Sequence, residues 1–449
     1  MRALALSLFI PLLSCAASQT ASPATPLVRV GAAAAEIEGD DSMVIAGGIH
    51  PGKATGQEGK LRAIATVVEK PGAGKCAIVA CDALMMNRDL LDEAAMRIEK
   101  ATGISFANVL INCTHTHHAP STCDVHAYGR DMTFCRRLVD GIVKAATEAN
   151  AHLVDAEFSY RLGHESSVGQ NSRLLLKDDT IFWIGDRSDA VRPTGPFDPE
   201  LPVLAFRDGN GKLRAAIFNH STHTIGTGKP GVRSPSFYGM ATQELEAELG
   251  GTFEFLEGAS GSTHNLGVPF AEVVLRIKAA VKEALEKAEP HAVDRIAAIK
   301  REFAYRVRKI DDAKEDEAVT AYCKRRAGGG ADAIIEAFRA ARKALAPHQG
   351  EERKTWLQAI RIGDVAIVGV PAEYFTKLGL DIKRRSPFRH TIVAELANDL
   401  IGYLPDRPAF ALGGYQTWTG FHSYTEPGTG EAIADQVVAM LRELARGVE

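Results

Sequence analysis

The chain lacks a basic tract. Its Lys and Arg number 52 against 56 Asp and Glu, and a net charge of −4 leaves no cationic face for a phosphate backbone, which argues against nucleic-acid binding. No two of its cysteines stand in a C-x-x-C spacing, so the sequence offers no thiolate zinc site of the usual kind. Beyond the first residues no apolar run is long enough to span a bilayer, and there is no internal repeat and no low-complexity domain. What remains is ordinary for a globular protein: 45% hydrophobic and 24% charged residues in a chain of 449, ample for a buried site in one large domain or two unequal ones.

The N-terminus, MRALALSLFIPLLSCAAS, sets one positive charge before an apolar run from Ala3 to Leu13 and then small residues. This is the layout of a secretory signal, expected over residues 1–18. LLSC around Cys15 also resembles the lipobox of bacterial lipoproteins, which would end the signal before Cys15 and tether the chain to a membrane through a lipidated Cys15. Both readings stay open, and both predict an exported chain: secreted, periplasmic or lipid-anchored at the cell envelope. Residues 19–27, QTASPATPL, read as a flexible lead-in, and the ordered domain is expected from Val28 onward. Six cysteines follow, at 76, 81, 113, 123, 135 and 323. In an exported chain Cys113 and Cys123 either staple the loop between them or stay as buried free thiols.

Periodicity gives the elements. KCAIVACDALMM is an apolar strand ending at Asp82; DLLDEAAMRIEKATG has helical spacing at Leu90, Leu91, Ala94, Ala95 and Ile98 and closes at Gly103; NVLIN is the next strand. Strand, helix and strand in that order predict a parallel crossover. LPVLAFRDGNGKLRAAIFNHSTHT reads as a hairpin around DGNGK, SPSFYGMATQELEAELGG as a helix entered through Ser234 or Ser236, and TFEFLEG as a strand. Residues 271–290 and 312–347 have helical periodicity, with a break at the glycines 328–330. AIRIGDVAIVGVPAEYF is a second hairpin turning at Gly363 and Asp364, HTIVAELAND a further strand, and GEAIADQVVAMLRELARG a last amphipathic helix. The pattern predicts an α/β fold with mixed β-sheets flanked by helices.

Histidine is where the sequence concentrates its chemistry. CTHTHHAPSTC, residues 113–123, holds three histidines in four positions directly after a strand. Strand alternation would put His115 and His117 on one side and His118 on the other, so that one imidazole can hold a metal while its neighbour reaches a substrate. Other apolar strands also run into residues that titrate or ligate: Asp82, His220 with His223, Glu373, and the Gly413-Gly414-Tyr415 segment. Strand ends are where α/β folds build their sites.

THTH after an apolar strand, the histidine of IFNH before a small-residue loop, RIGD with VPAE, and GYLP followed by GGY together resemble the catalytic domain of the neutral (non-lysosomal) ceramidases and their bacterial relatives. The resemblance runs over roughly residues 28–447, so the domain expected over 28–449 is a ceramidase-like catalytic domain. It implies a Zn2+ ion held by His115 of THTH, His220 of IFNH, Glu373 of VPAEYF and Tyr415 of GGYQ. His117 is then a substrate-contacting or proton-handling residue. Asp82 is expected to support a ligand histidine through a hydrogen bond, and Arg173 of GQNSRLLLKDD to line the site. His118 and His223 have no counterpart in the resemblance and are read as structural.

The chain departs from the family in two places. GASGSTHN replaces the family's G-D-V-S-P-N, and His264 falls where its serine would be, available as an acid or base because imidazole titrates near neutral pH. The chain also ends soon after GGY, without the immunoglobulin-like domain of the full-length enzymes. The resemblance implies a zinc-dependent hydrolase that cleaves an amide or related bond in a small-molecule or lipid substrate, and the two departures point away from ceramide toward a different or smaller substrate. A true ceramidase acting on N-acyl sphingosine and a non-catalytic binding protein that kept the fold are the alternatives.

Overall fold

The structure is a computed structural model and describes residues 27–265 and 267–447. The expected signal, with Cys15, and the lead-in up to residue 26 lie outside the described residues. Strands β1 (Val28–Glu36), β2 (Arg62–Lys70), β3 (Gly74–Cys81), β4 (Val109–Cys113), β5 (Val154–His164), β6 (Glu200–Asp208), β7 (Leu213–His220) and β8 (Thr252–Glu257) form one mixed sheet. Its order is β8-β7-β6-β5-β1-β2-β3-β4, and Glu289–Pro290 adds a short strand against β5. A second sheet takes β9 (Ile296–Arg306), β10 (Glu352–Ile362), β11 (Val365–Gly369) and β12 (His390–Ala394) in that order.

Near-continuous apolar strands have a plain cause: both faces of both sheets are covered. Helices α1 (Arg88–Thr102) and α2 (Met132–Ala151) cover β1 to β4, where Ala77, Val79 and Cys81 of β3 meet Leu91, Ala94 and Leu138. The alternate residues Cys76, Ile78 and Ala80 face inward, packing with Ile360, Ile367 and Ile392 of the second sheet. Helices α3 (Ser236–Leu249) and α4 (Phe270–Glu286) cover β6 to β8. Helices α5 (Asp312–Arg326) and α6 (Ala331–Leu345) form a satellite core with Trp418, while α7 (Thr376–Arg385) and α8 (Thr429–Arg446) close the far face of the second sheet. None of the described helices is long and apolar enough to cross a membrane.

The predicted crossover is there: β3 and β4 pair in parallel, Cys81 opposite Cys113, with α1 between them. Gly103 ends α1 at φ 73°, a left-handed position that only glycine adopts without strain, and its N–H reaches the Glu99 carbonyl at 2.9 Å. Both predicted hairpins form, β6 with β7 and β10 with β11. Helix α3 begins at Ser236, which sits at φ 56° after Pro235 in the cap position, and the Ser234 hydroxyl oxygen accepts the Ser236 N–H at 3.0 Å. Sequence reading passed over α2, which Asp131 caps by accepting the Phe134 N–H at 2.9 Å.

All six described cysteines are buried free thiols, so no staple joins Cys113 to Cys123. Cys113 pairs across the ladder with Cys81, and its sulfur lies 3.9 Å from that of Cys81 within the core under the helices.

Asp82, expected beside a ligand histidine, touches none. Its Oδ2 accepts the Arg62 N–H at 2.8 Å and its Oδ1 the Thr114 hydroxyl at 3.0 Å, so it braces the ends of β2 and β4. Burial pushes its carboxyl up to about 6, against the partial relief given by Arg62 and Thr114. A carboxyl raised on folding contributes stability that is full below its unfolded value of 3.8 and lost as pH rises through about 6. Asp82→Asn is therefore expected to flatten the change of Tm between pH 4 and 6, read by thermal melts of both proteins across that range.

Candidate metal centre

Three parallel pairs, β3 with β4, β7 with β8 and β11 with β12, end at the same place. Backbone bonds lock these ends together: Glu395 N–H to the Glu257 carbonyl at 3.0 Å, and Cys113 N–H to the Leu396 carbonyl at 3.2 Å. At this junction His115, His117 and His223 bring their imidazoles together, one donor atom of each lying within 4.8 Å of the others.

Each ring is oriented by a backbone carbonyl. His115 Nδ1–H donates to Leu84 at 2.9 Å, His117 Nδ1–H to Gly47 at 3.1 Å and His223 Nδ1–H to Ser260 at 3.1 Å. This fixes one tautomer in all three and turns every Nε2 lone pair inward. Nε2 of His115 lies 2.9 Å from that of His223 and 3.3 Å from that of His117. Glu373 completes the set, its Oε1 3.3 Å from His115 Nε2 and 3.4 Å from His223 Nε2.

Lone pairs so close, with no proton left to place between all of them, fit a shared cation. Nitrogen and carboxylate donors of this kind are what zinc selects. Burial lowers the proton affinity of His117 and His223, with neighbouring imidazoles adding to the effect, so both favour the neutral form that ligates a metal. Burial alone would raise the Glu373 carboxyl, but His115 and His223 outweigh it and hold the group well below the usual carboxylate range.

Local structure makes the convergence possible. β4 ends at Cys113, and His115 takes φ 61°, a strained position for a non-glycine residue. Strand alternation thus does not carry His115 and His117 to one point; a left-handed turn after the strand does. Gly47 sits at φ 109°, where a Cβ would lie 2.5 Å from His117 Nδ1, so only glycine lets its carbonyl seat that ring. In the small-residue loop, a Cβ on Gly261 would come within 2.4 Å of the Glu373 carbonyl oxygen.

Two expected ligands stand elsewhere. His220 is buried, with Nε2–H donating to the Glu165 carbonyl at 2.9 Å and Nδ1 accepting from the Tyr238 hydroxyl at 2.5 Å. Its neighbour Asn219 bonds inward to Leu256 and Val393, so alternation turns His220 toward α3, and His223, three residues on and read as structural, takes the place at the cluster. Tyr415 also lies one step out: its hydroxyl pairs with His126 Nε2 at 3.0 Å, and its ring stacks on Trp183 at 4.4 Å. Tyr403 of GYLP is the tyrosine that reaches the cluster, its hydroxyl 3.1 Å from His223 Nε2. The cause is register, since Glu373 and Tyr403 are direct partners in a short parallel pair.

The other candidates frame this centre. His264 stacks on His223 with ring centroids 4.5 Å apart. Arg173 is buried and spends its guanidinium on the segment that carries Tyr415, donating to Gln416 Oε1 at 2.7 Å and the Gly413 carbonyl at 2.6 Å. It positions that segment. His118 Nε2 accepts the Gly226 N–H at 3.0 Å, a structural bond. Sequence reading missed His126 and Tyr403; the only signal for Tyr403 was its place in GYLP.

Substituting the two histidines separates their roles. His223→Ala should lower divalent-metal affinity beyond the roughly 10- to 100-fold typical of losing a supporting hydrogen bond. His220→Ala should keep the metal stoichiometry and lower stability by about 1–3 kcal/mol through the unpaired Tyr238 hydroxyl and Glu165 carbonyl. Metal analysis and thermal melts of both variants check this.

Comparison with known proteins places this geometry. No protein-family model matches the chain. Its sequence is similar to the neutral ceramidase of Pseudomonas aeruginosa, 24% identical in an alignment of 411 residues that takes in 75% of this chain and 60% of the relative. The chain thus spans less than two thirds of that protein's length. The crystal structure of the Pseudomonas aeruginosa neutral ceramidase superposes with a TM-score of 0.74 at 21% identity, over 95% of this chain and 76% of that one. A ceramidase complexed with C2 gives a TM-score of 0.73 at 20% identity, over 94% of this chain and 76% of that one. The resemblance read from THTH, VPAE and GYLP is therefore one of fold across nearly the whole chain: this protein is similar in sequence to a neutral ceramidase and shares the mixed α/β architecture of the ceramidase structures.

Proposed function

We propose that the protein is a zinc-dependent hydrolase that cleaves an amide bond, with a lipid amide as its substrate class. One observation carries the reading: three imidazoles, each fixed by a backbone carbonyl, converge, with His115 Nε2 2.9 Å from His223, 3.3 Å from His117 and 3.3 Å from the Glu373 carboxylate, which lies 3.4 Å from His223. Zinc in such a donor set supplies Lewis acidity and a water acidified to a pKa of about 7.

The protein's own residues supply the rest. His115, His117, His223 and Glu373 form the donor set, and Tyr403 adds a hydroxyl at its edge. Tyr415 and His126 form a hydrogen-bonded pair one step from it, suited to hand a proton to a leaving amine. Burial keeps His126 neutral and therefore able to accept that hydroxyl.

Three features support a lipid amide. Trp183, Trp418 and Phe338 surround Tyr415. A cavity of about 850 Å³ lies beside the same segment without including the donor residues, and its wall sets Ile181, Phe410, Leu412 and Trp418 among charged side chains such as Asp178, Arg308, Lys314 and Arg326, a mixed lining that suits an amphipathic molecule. The structural neighbours are ceramidases, one of them complexed with C2. The N-terminal layout supports export, by a plain signal or through a lipidated Cys15.

Purified protein, stripped with chelator and reloaded with zinc, is to be assayed against N-acyl sphingosine, N-acyl amino acids and simple esters. Chelator-sensitive hydrolysis of an N-acyl lipid is expected, with Glu373→Gln and His115→Ala lowering kcat/KM by about 100-fold or more. Turnover of N-acyl sphingosine would make the protein a ceramidase in the strict sense. Bound metal below about one tenth of an equivalent after reloading, or hydrolysis indifferent to chelator, overturns the proposal.

A further inference from the structure

A second cluster of ligating side chains lies at the other end of β12. His291 follows the short strand against β5 and is held there by its own N–H, which donates to the Phe158 carbonyl at 2.8 Å. Asp364 stands in the turn between β10 and β11. His390 opens β12, directly opposite Val365 in the ladder. One donor atom from each of the three lies within 4.8 Å of the others.

The cluster is built rather than incidental. Gly363 takes φ 61° in the turn, and a Cβ there would lie 2.6 Å from the Ala292 carbonyl oxygen, so glycine lets the turn press against the segment carrying His291. Asp364 then reaches both rings, its Oδ1 2.9 Å from His291 Nδ1 and its Oδ2 4.0 Å from His390 Nε2. The His390 ring is fixed from behind by Tyr160, with centroids 4.1 Å apart. Yet its Nε2, fully buried and turned toward the carboxylate, has no hydrogen-bond partner.

We propose that His291, Asp364 and His390 form a second divalent-metal site, with zinc as the preferred ion, that clips the turn of the second sheet to the segment following the short strand on β5 of the first. Two imidazoles and one carboxylate are a zinc donor set. Tetrahedral zinc at its usual bond lengths of about 2.0–2.1 Å sets donors about 3.4 Å apart, so from 4.0 Å to Asp364, and within 4.8 Å of His291, the His390 ring needs to close by roughly 1 Å. All three residues are partly exposed, which admits a water as fourth ligand and an entry path for the ion. The site is separate from the His115 centre, because His390 and Ala394 stand at opposite ends of β12, four steps and about 13 Å of strand apart.

The test uses the full chain stripped by chelator and titrated with zinc alone, and with cobalt for its absorption spectrum. Wild type is expected to take up two equivalents, and Asp364→Asn and His390→Asn one each, with hydrolysis unchanged. With the first centre removed by His115→Ala and Glu373→Gln, one equivalent should remain and zinc should still raise Tm. Adding Asp364→Asn to that background should abolish both effects. Should the background bind no zinc, or bind it equally well with Asp364→Asn, the proposal fails, whatever the outcome at the first centre. Should the background not fold, the difference of one equivalent between wild type and Asp364→Asn decides alone.

Discussion

Three imidazole lone pairs directed at one point repel one another, and they stay there only because each ring is held from behind. The carbonyls of Leu84, Gly47 and Ser260 do this holding, and they come from three separate loops. Were any of the three to move, its ring would regain a choice of tautomer and rotate away. Much of the surrounding fold serves those carbonyls: Leu84 follows β3, Gly47 precedes β2, and Ser260 follows β8. The arrangement is a preorganised donor set, assembled by backbone geometry before any ligand arrives.

That preorganisation carries strain. A left-handed histidine at 115 and another at 126 each cost on the order of 1–3 kcal/mol. Close-packed glycines at 47 and 261 remove the clashes that would otherwise add to it. Such strain persists because the neighbouring elements over-determine it: the parallel strand ends, the Glu395 and Leu396 backbone bonds, and the apolar core between the sheets all fix the same junction. Binding to the folded form alone adds stability in proportion to ligand excess, about 2.7 kcal/mol at a hundredfold excess over Kd. A cation at this junction would offset strain of just that order.

The elements were legible because their signals are local. Helical spacing from Leu90 to Ile98, the turn DGNGK and the Gly103 stop all depend on a few neighbouring residues, and the structure keeps them. Which side chain of a strand end faces the centre was not local. His220 and His223 differ by a half-turn of alternation that only the inward bonds of Asn219 settle. Tyr403 and Tyr415 stand in similar glycine-bordered contexts, and the choice between them rests on a two-residue pairing with Glu373, thirty residues away in sequence. Motif order found the right segments; long-range register chose the residue within each.

Charge gives the junction its chemical direction. Three acids crowd it, Glu257, Glu373 and Glu395. Glu395 accepts from the Ser260 hydroxyl at 2.7 Å and the Tyr374 N–H at 2.6 Å, and Glu257 from the Thr224 hydroxyl at 2.6 Å, so these two tie together the loops that carry His223 and Glu373. Burial, reinforced by charge repulsion among the acids, raises both toward the neutral form. Burial likewise raises the Tyr403 phenol, with Glu373 adding to it. Only Glu373, faced by imidazoles, stays ionised. With His117 and His223 biased to the neutral form, the Tyr403 phenol held neutral and Glu373 as the one ionised carboxylate, these groups offer a divalent cation less negative charge than it carries positive. On the proposed reading, a cation left partly uncompensated there would complement the negative charge that grows on a carbonyl oxygen under attack by water, so the burial that keeps the supporting acids neutral would favour that transition state over a neutral substrate.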